Sequence, residues 1–135
     1  MLDDMDNAPM VWPAIRYKDA PAAIRFLVEA FGFTEALVVP GQNETVVEHA
    51  ELRWPLGGGV MLGSTAYDEG VHAELPAGSS SVYVVTDDPD ALWARATAAG
   101  ADVVAGLKDE EYGSRSFTVR DPEGNYWSFG TYRGA

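Results

Sequence analysis

Two histidines, His49 and His72, and no cysteine make up the chain's whole supply of imidazole and thiol. Three-His metal sites, Cys-ligated zinc, thiol catalysis and disulfide frameworks are therefore excluded together. His49 stands two residues before Glu51, and on a strand that spacing puts both side chains on one face. Such a pair is half of a metal site or an acid–base pair. With no further ligand beside it, the plainer reading is a polar pair on a half-exposed strand. His72, in a stretch rich in Gly, Ala and acid, reads as a solvated loop residue. No Ser stands in a nucleophile motif, and Gly57-Gly58-Gly59 lacks the Lys and the strand-to-helix setting of a phosphate loop. It reads as a tight turn. Asp109-Glu110-Glu111 reads as a solvated charge run. No residue is assigned a catalytic role.

The 135 residues carry nine Lys+Arg against 21 Asp+Glu, a formal charge of −12. Phosphate binding needs a basic patch, so nucleic acid is not expected as a partner, nor is an anionic membrane surface. Hydrophobic residues reach 47%, with four Trp, six Tyr and five Phe. That is ample for one packed domain. Residues Met1 to Met10 hold three Asp and no basic residue, the opposite of a secretory n-region. No apolar run approaches the ~20 residues of a membrane span. The expectation is a cytoplasmic protein with a disordered acidic tail over 1–10.

The elements that must position any site are marked by an internal repeat. Asp19-Ala20-Pro21-Ala22-Ala23-Ile24 matches Asp87-Asp88-Pro89-Asp90-Ala91-Leu92, and in the same register Ala30-Phe31-Gly32 falls on Ala98-Ala99-Gly100. An acid to cap, Pro in the first turn and Gly at the end mark two helices of about 11 residues. Asp19 and Asp87 are the expected caps. Ala23, Phe26, Leu27, Ala30 and Phe31 form the first core-facing stripe, and Leu92, Ala96 and Ala99 the second. Strand-like stretches flank both helices: 11–17, 35–39, 45–53 and 60–64 around the first; 81–85, 102–105, 115–120 and 126–132 around the second. Each half reads strand, helix, strand, strand, strand, which is the mark of duplication. Module one spans about 11–64 and module two about 81–132, joined by a linker over 65–80.

Paired βαβββ modules with Asp121-Pro122-Glu123-Gly124-Asn125-Tyr126-Trp127 before the last strand resemble the vicinal oxygen chelate superfamily of glyoxalases, extradiol dioxygenases and bleomycin-resistance proteins. His49-Ala50-Glu51-Leu52, Val60-Met61-Leu62-Gly63 and Tyr112-Gly113-Ser114-Arg115 are similar to its glyoxalase/bleomycin-resistance group. The resemblance runs from about Val11 to Tyr132. It implies an α+β domain whose modules form a curved mixed sheet around a cup, with the helices outside.

Metal-dependent members carry His, Glu or Gln on the first and last strand of each module. By register those positions fall here on Trp12, Leu62, Ser81 and Ser128. Indole and isobutyl groups cannot ligate a divalent ion, and a hydroxyl is a poor ligand beside carboxylate or imidazole. Neither metal nor cofactor is expected.

Strand alternation then sorts the cup lining. Trp12 and Arg16, Ser81 and Tyr83, and Tyr126, Ser128, Gly130 and Tyr132 share its face. Trp127 and Phe129 turn toward a helix. On 45–53 the polar face holds Val47, His49, Glu51 and Arg53, while Tyr112 and Arg115 close the rim. The candidate ligand-binding residues are Trp12, Arg16, His49, Glu51, Tyr83, Tyr112, Arg115, Tyr126, Ser128 and Tyr132. The expected function is sequestration of an organic ligand, as in antibiotic resistance by bleomycin-resistance proteins, with the acid excess favouring a cationic one. The family resemblance implies a homodimer. The alternative is a lyase, isomerase or dioxygenase of the same superfamily with a displaced metal or none.

Overall fold

The computed structural model describes residues 9–67 and 75–135. Two βαβββ units build two four-stranded mixed sheets. The first contains β1 (Ala14–Tyr17), β2 (Thr34–Pro40), β3 (Val47–Arg53) and β4 (Gly59–Ser64), in the order β1-β4-β3-β2. The second contains β5 (Ser81–Val85), β6 (Asp102–Asp109), β7 (Arg115–Arg120) and β8 (Tyr126–Gly130), in the order β5-β8-β7-β6. In each sheet the first strand of the unit pairs parallel with the last, and the other pairs are antiparallel. The residues 1–8, most of the expected acidic tail, and 68–74, with His72, lie outside the described residues.

Both helices start as the repeat implies, with one change of register. Helix α1 (Ala20–Phe26) is capped by Asp19, whose carboxylate accepts the Ala22 N–H at 3.1 Å. Helix α2 (Pro89–Ala98) is capped by Asp88, not by Asp87, with the Ala91 N–H at 3.0 Å from its carboxylate. Asp87 instead meets Arg133. The gapless alignment of the helices is therefore slipped by one residue at the caps. Helix α1 continues as a π-helical segment, Leu27–Phe31, and stops at Gly32 with φ +91°. Arg95 of α2 closes that end, donating to the Glu29 carbonyl at 2.8 Å and the Val28 carbonyl at 3.1 Å. A Cβ on Gly32 would stand 2.9 Å from Arg95 Nη1. Glycine thus supplies both the left-handed turn and the room for the guanidinium.

One core joins the units. Phe31 lies 5.5 Å from Trp127 and 4.7 Å from Phe129 between ring centroids, and Trp54 lies 4.9 Å from Phe33 and 5.9 Å from Phe129. No strand of one sheet pairs with a strand of the other, so side chains make the join. The Tyr17 hydroxyl donates to Asp121 at 2.5 Å, and the Glu123 carboxylate accepts the backbone N–H groups of Lys18 and Asp19 at 2.7 and 2.8 Å. In the opposite sense, Trp54 Nε1 donates to the Val85 carbonyl at 2.8 Å. Asp121 is buried, and its carboxylate also accepts from Trp127 Nε1 and from Asn125. The 121–125 turn is therefore the clasp between the units. Burial, then the nearby Asp121 carboxylate, pushes the Tyr17 phenol far above its ordinary value.

Candidate functional site

Alternation gives each sheet a core face and an outer face. On the second sheet Val82 and Val84, Phe117 and Val119, and Trp127 and Phe129 turn to the core. The outer face is then read in rows across the ladders. One row runs Ser81, Tyr126, Arg120, Asp102; the next runs Tyr83, Ser128, Thr118. Arg120 lies over the Tyr126 ring at 5.2 Å, donates to its hydroxyl at 3.3 Å and holds Asp102 at 3.0 Å. The hydroxyls of Thr118 and Ser128 lie 2.7 Å apart.

Gly130 sits in the third row. A Cβ there would come within 2.8 Å of the Tyr83 hydroxyl and 2.9 Å of Ser114 Oγ. Its absence lets Tyr83 donate to the Tyr132 carbonyl at 2.7 Å while Ser114 Oγ accepts the Tyr132 N–H at 3.2 Å. Tyr132 in turn meets Tyr112 edge to face at 5.8 Å. The result is a face of four phenols still 45% (Tyr83), 64% (Tyr112), 38% (Tyr126) and 46% (Tyr132) exposed, which is a large amount of unspent aromatic surface.

The outer face of the first sheet is more polar. Its rows are Ala14, Met61, Glu51, Leu37 and Arg16, Gly63, with Arg53 opposite Gly59 and His49 opposite Val39. His49 Nε2 and Glu51 Oε2 are 2.8 Å apart, the two side chains 39% and 28% exposed. The Arg53 guanidinium lies 5.8 Å from the Trp12 ring centroid, and Trp12 Nε1 donates to the Pro9 carbonyl at 3.1 Å. Arg16 donates to the Leu75 carbonyl.

The structure thus places Tyr83, Tyr126 and Ser128 on the second sheet, with Tyr132 just past β8 and Tyr112 in the β6–β7 turn beside it, and Arg16, His49 and Glu51 on the first, with Trp12 just before β1. Arg115 joins neither group. It shares the parity of Phe117 and Val119, and its guanidinium is held by Asp90 of α2 at 2.7 Å and Asp109 at 3.3 Å. That hydrogen bond holds the Asp90 carboxyl below its usual value. Val47 is buried rather than polar-facing, because the β2–β3 register shifts beside it, between Val39 and Pro40. Sequence reasoning missed Arg120 and Thr118. The signal was there: both alternate with the buried Phe117 and Val119 on β7.

The metal positions of the superfamily can be checked against this register. Ala14 pairs with Met61 and Tyr83 with Ser128, so the counterpart of Ser128 is Met61. Leu62, the expected position, lies in the core. The indole of Trp12, the thioether of Met61 and the hydroxyls of Ser81 and Ser128, like the methyl and phenol of the neighbouring Ala14 and Tyr83, do not fit a divalent ion that asks for carboxylates and imidazoles. Among the described residues no group of three or more His, Cys, Asp or Glu is placed to hold a metal. No helix among the described residues is long and apolar enough to cross a membrane.

Three comparisons bear on this architecture. An uncharacterized protein of Mycobacterium bovis is 35% identical over 127 residues, covering 90% of this chain and 82% of the relative. The crystal structure of TioX from Micromonospora sp. ML1 superposes with a TM-score of 0.78 at 35% identity, covering 91% of this chain and 98% of TioX. TnmS3, an antibiotic binding protein from Streptomyces sp. CB03234, gives a TM-score of 0.64 at 26% identity, covering 86% of this chain and 88% of TnmS3. The family model matching residues 10–129 is that of the Glyoxalase/Bleomycin resistance protein/Dioxygenase superfamily. On that match and these rows of strands, the chain belongs to the Glyoxalase/Bleomycin resistance protein/Dioxygenase superfamily.

Proposed function

We propose that this chain binds and sequesters a small organic ligand without transforming it, on the outer faces of its sheets. The observation that carries the reading is the tyrosine face of Tyr83, Tyr112, Tyr126 and Tyr132, half-exposed around the hydroxyls of Ser128 and Thr118. Aromatic faces bury and stack against an organic ligand, and phenol and hydroxyl groups orient it. The net charge of −12 favours a cationic ligand by raising the local cation concentration. The likeness to TnmS3 supports an antibiotic as the ligand class. Two copies of the chain pair so that the tyrosine face of one meets the Trp12 and Arg16 face of the other, making the cup a shared one in a cytoplasmic homodimer.

A thermal-shift screen with cationic glycopeptides, dicarbonyl compounds and divalent metals tests this. A ligand at 100 times its Kd adds about 2.7 kcal/mol to the stability of the folded state. A melting temperature raised by an antibiotic and lost again in Tyr126→Ala supports the reading. Turnover of a hemithioacetal or a catechol by the purified protein refutes it. The second reading, an enzyme of the same superfamily, rests on the 2.8 Å contact of His49 with Glu51 on an outer face, the geometry of an oriented imidazole base. Its mark is turnover abolished in His49→Gln.

A further inference from the structure

The two outer faces leave an apolar cavity beside them unused. About 350 Å³ opens where the approach to β1, at Val11 and Pro13, and the 54–59 turn come up to β5. Its walls include Phe33, Trp54, Leu56 and Val82, and its volume is at the low end of small-molecule sites, ~300–1,000 Å³.

The polar side of this cavity is backbone. In the parallel β5–β8 ladder the Ser80 carbonyl accepts from Tyr126 and the Thr86 N–H donates to Gly130. The even-numbered residues of β5 therefore bond to β8, and the odd-numbered ones turn the other way. The Val85 carbonyl confirms the direction, because it receives Trp54 Nε1 across the seam at 2.8 Å. β5 has no second strand partner, being the end of its sheet. The Tyr83 N–H, the Tyr83 C=O and the Val85 N–H remain, and among the described residues no hydrogen bond reaches any of them. Tyr83 and Val85 lie about 7 Å apart along the strand. The charged residue of the lining, Arg133, is paired with Asp87, so the lining offers a ligand no unpaired charge.

We propose that this cavity is a second ligand site, beside the tyrosine face and sharing with it only Tyr83, for an uncharged extended ligand with a peptide-like amide. One residue of the ligand exchanges both main-chain hydrogen bonds with Tyr83, its next amide meets the Val85 N–H, and an apolar side chain fills the space before Phe33 and Trp54. This is strand addition on the scale of a dipeptide.

The probe is N-acetyl-leucyl-phenylalanine methylamide, titrated into the full-length ¹⁵N-labelled protein, alongside its two isomers singly N-methylated at leucine or at phenylalanine. Adjacent amide nitrogens of an extended chain face opposite ways, so only one methyl group blocks the edge. The amide signals of Tyr83 and Val85 shift with the parent probe, and at nine times its Kd their hydrogen exchange slows about tenfold. The two isomers differ in affinity by about two- to twelvefold, the loss of one hydrogen bond. Unshifted Tyr83 and Val85 amides at millimolar probe overturn the proposal, as do equal affinities of the two isomers. Shifts confined to Tyr112, Tyr126 and Tyr132 also overturn it, while leaving the tyrosine-face reading intact.

Discussion

Replacing Tyr17 by Phe removes one hydroxyl from the clasp between the units and leaves the ring in place. The lost bond is the 2.5 Å contact to the buried Asp121 carboxylate, and a hydrogen bond to a charged group contributes about 1.5–3 kcal/mol. Asp121 keeps Trp127 Nε1 and Asn125 as donors, so the carboxylate is not orphaned and the effect stays within that range. For a chain of this size, with an unfolding entropy of about 2.1 cal/mol/K per residue, that is a fall in Tm of about 5–11 °C at pH 7. The pH dependence separates this cause from a packing defect. The folded-state phenol is held neutral far above its ordinary value, whereas in the unfolded chain it ionises near pH 10. Its contribution is thus fully present well below pH 10 and is lost as pH rises through and beyond it, at a slope that approaches about 1.4 kcal/mol per pH unit. Tyr17→Phe lacks that slope, so its deficit shrinks by about 1 kcal/mol between pH 10 and pH 11. Urea unfolding followed by tryptophan fluorescence at pH 7, 10 and 11 measures both quantities. Equal stabilities at pH 7, or parallel losses above pH 10, refute the reasoning.

Gly32→Ala places a β-carbon at φ +91°, 2.9 Å from Arg95 Nη1. It costs about 1–2 kcal/mol in backbone strain plus the contact, and in the Arg95→Ala background the cost falls by the contact part, as a double-mutant cycle would read. Arg95→Ala alone removes the side-chain donor of the Glu29 carbonyl and one of the two donors of the Val28 carbonyl, which keeps the Gly32 N–H at 3.1 Å, and costs about 1 kcal/mol, checked by denaturant titration. Gly130→Ala drives a methyl group against the Tyr83 hydroxyl and Ser114 Oγ. It breaks the Tyr83–Tyr132 bond and weakens ligands of the tyrosine face at least tenfold by calorimetry, while Tm falls by only a few degrees. Incubation with EDTA leaves Tm unchanged within 1 °C, since no donor set suited to a divalent ion lines these faces; a fall of several degrees refutes that reading.

Much of the fold was legible because local signals agreed. Pro21 and Pro89 near helix starts, and Gly32 and Gly100 at the ends, bracket the helices, and β5 and β7 occupy the stretches that alternation marks. What failed was registration. Asp87 and Asp88 are chemically equal as caps, and only the contact of Asp87 with Arg133 decides between them. Leu62 was placed one residue off, because an apolar strand buried on one side and half-buried on the other shows no parity in its side-chain types. The tyrosines of the second sheet were found because Trp127 and Phe129 mark the core parity on the same strand. Arg115 was misjudged because its partners lie on α2 and β6, and pairings between elements leave no local trace. The π-helical turn at Leu27–Phe31, which ends with Phe31 against Trp127 and Phe129, had no signature either.

The clasp has a kinetic consequence. Every strand ladder closes within its own half of the chain, whereas the Tyr17–Asp121 bond joins residues 104 positions apart. Loop-closure entropy makes such remote contacts slow to form and of little help until both halves exist. The ladders of each half are therefore expected to form first, and the shared core and the clasp to close afterwards. Tyr17→Phe and Arg95→Ala should speed unfolding while leaving the refolding rate nearly unchanged, because the bonds they delete are made after the transition state.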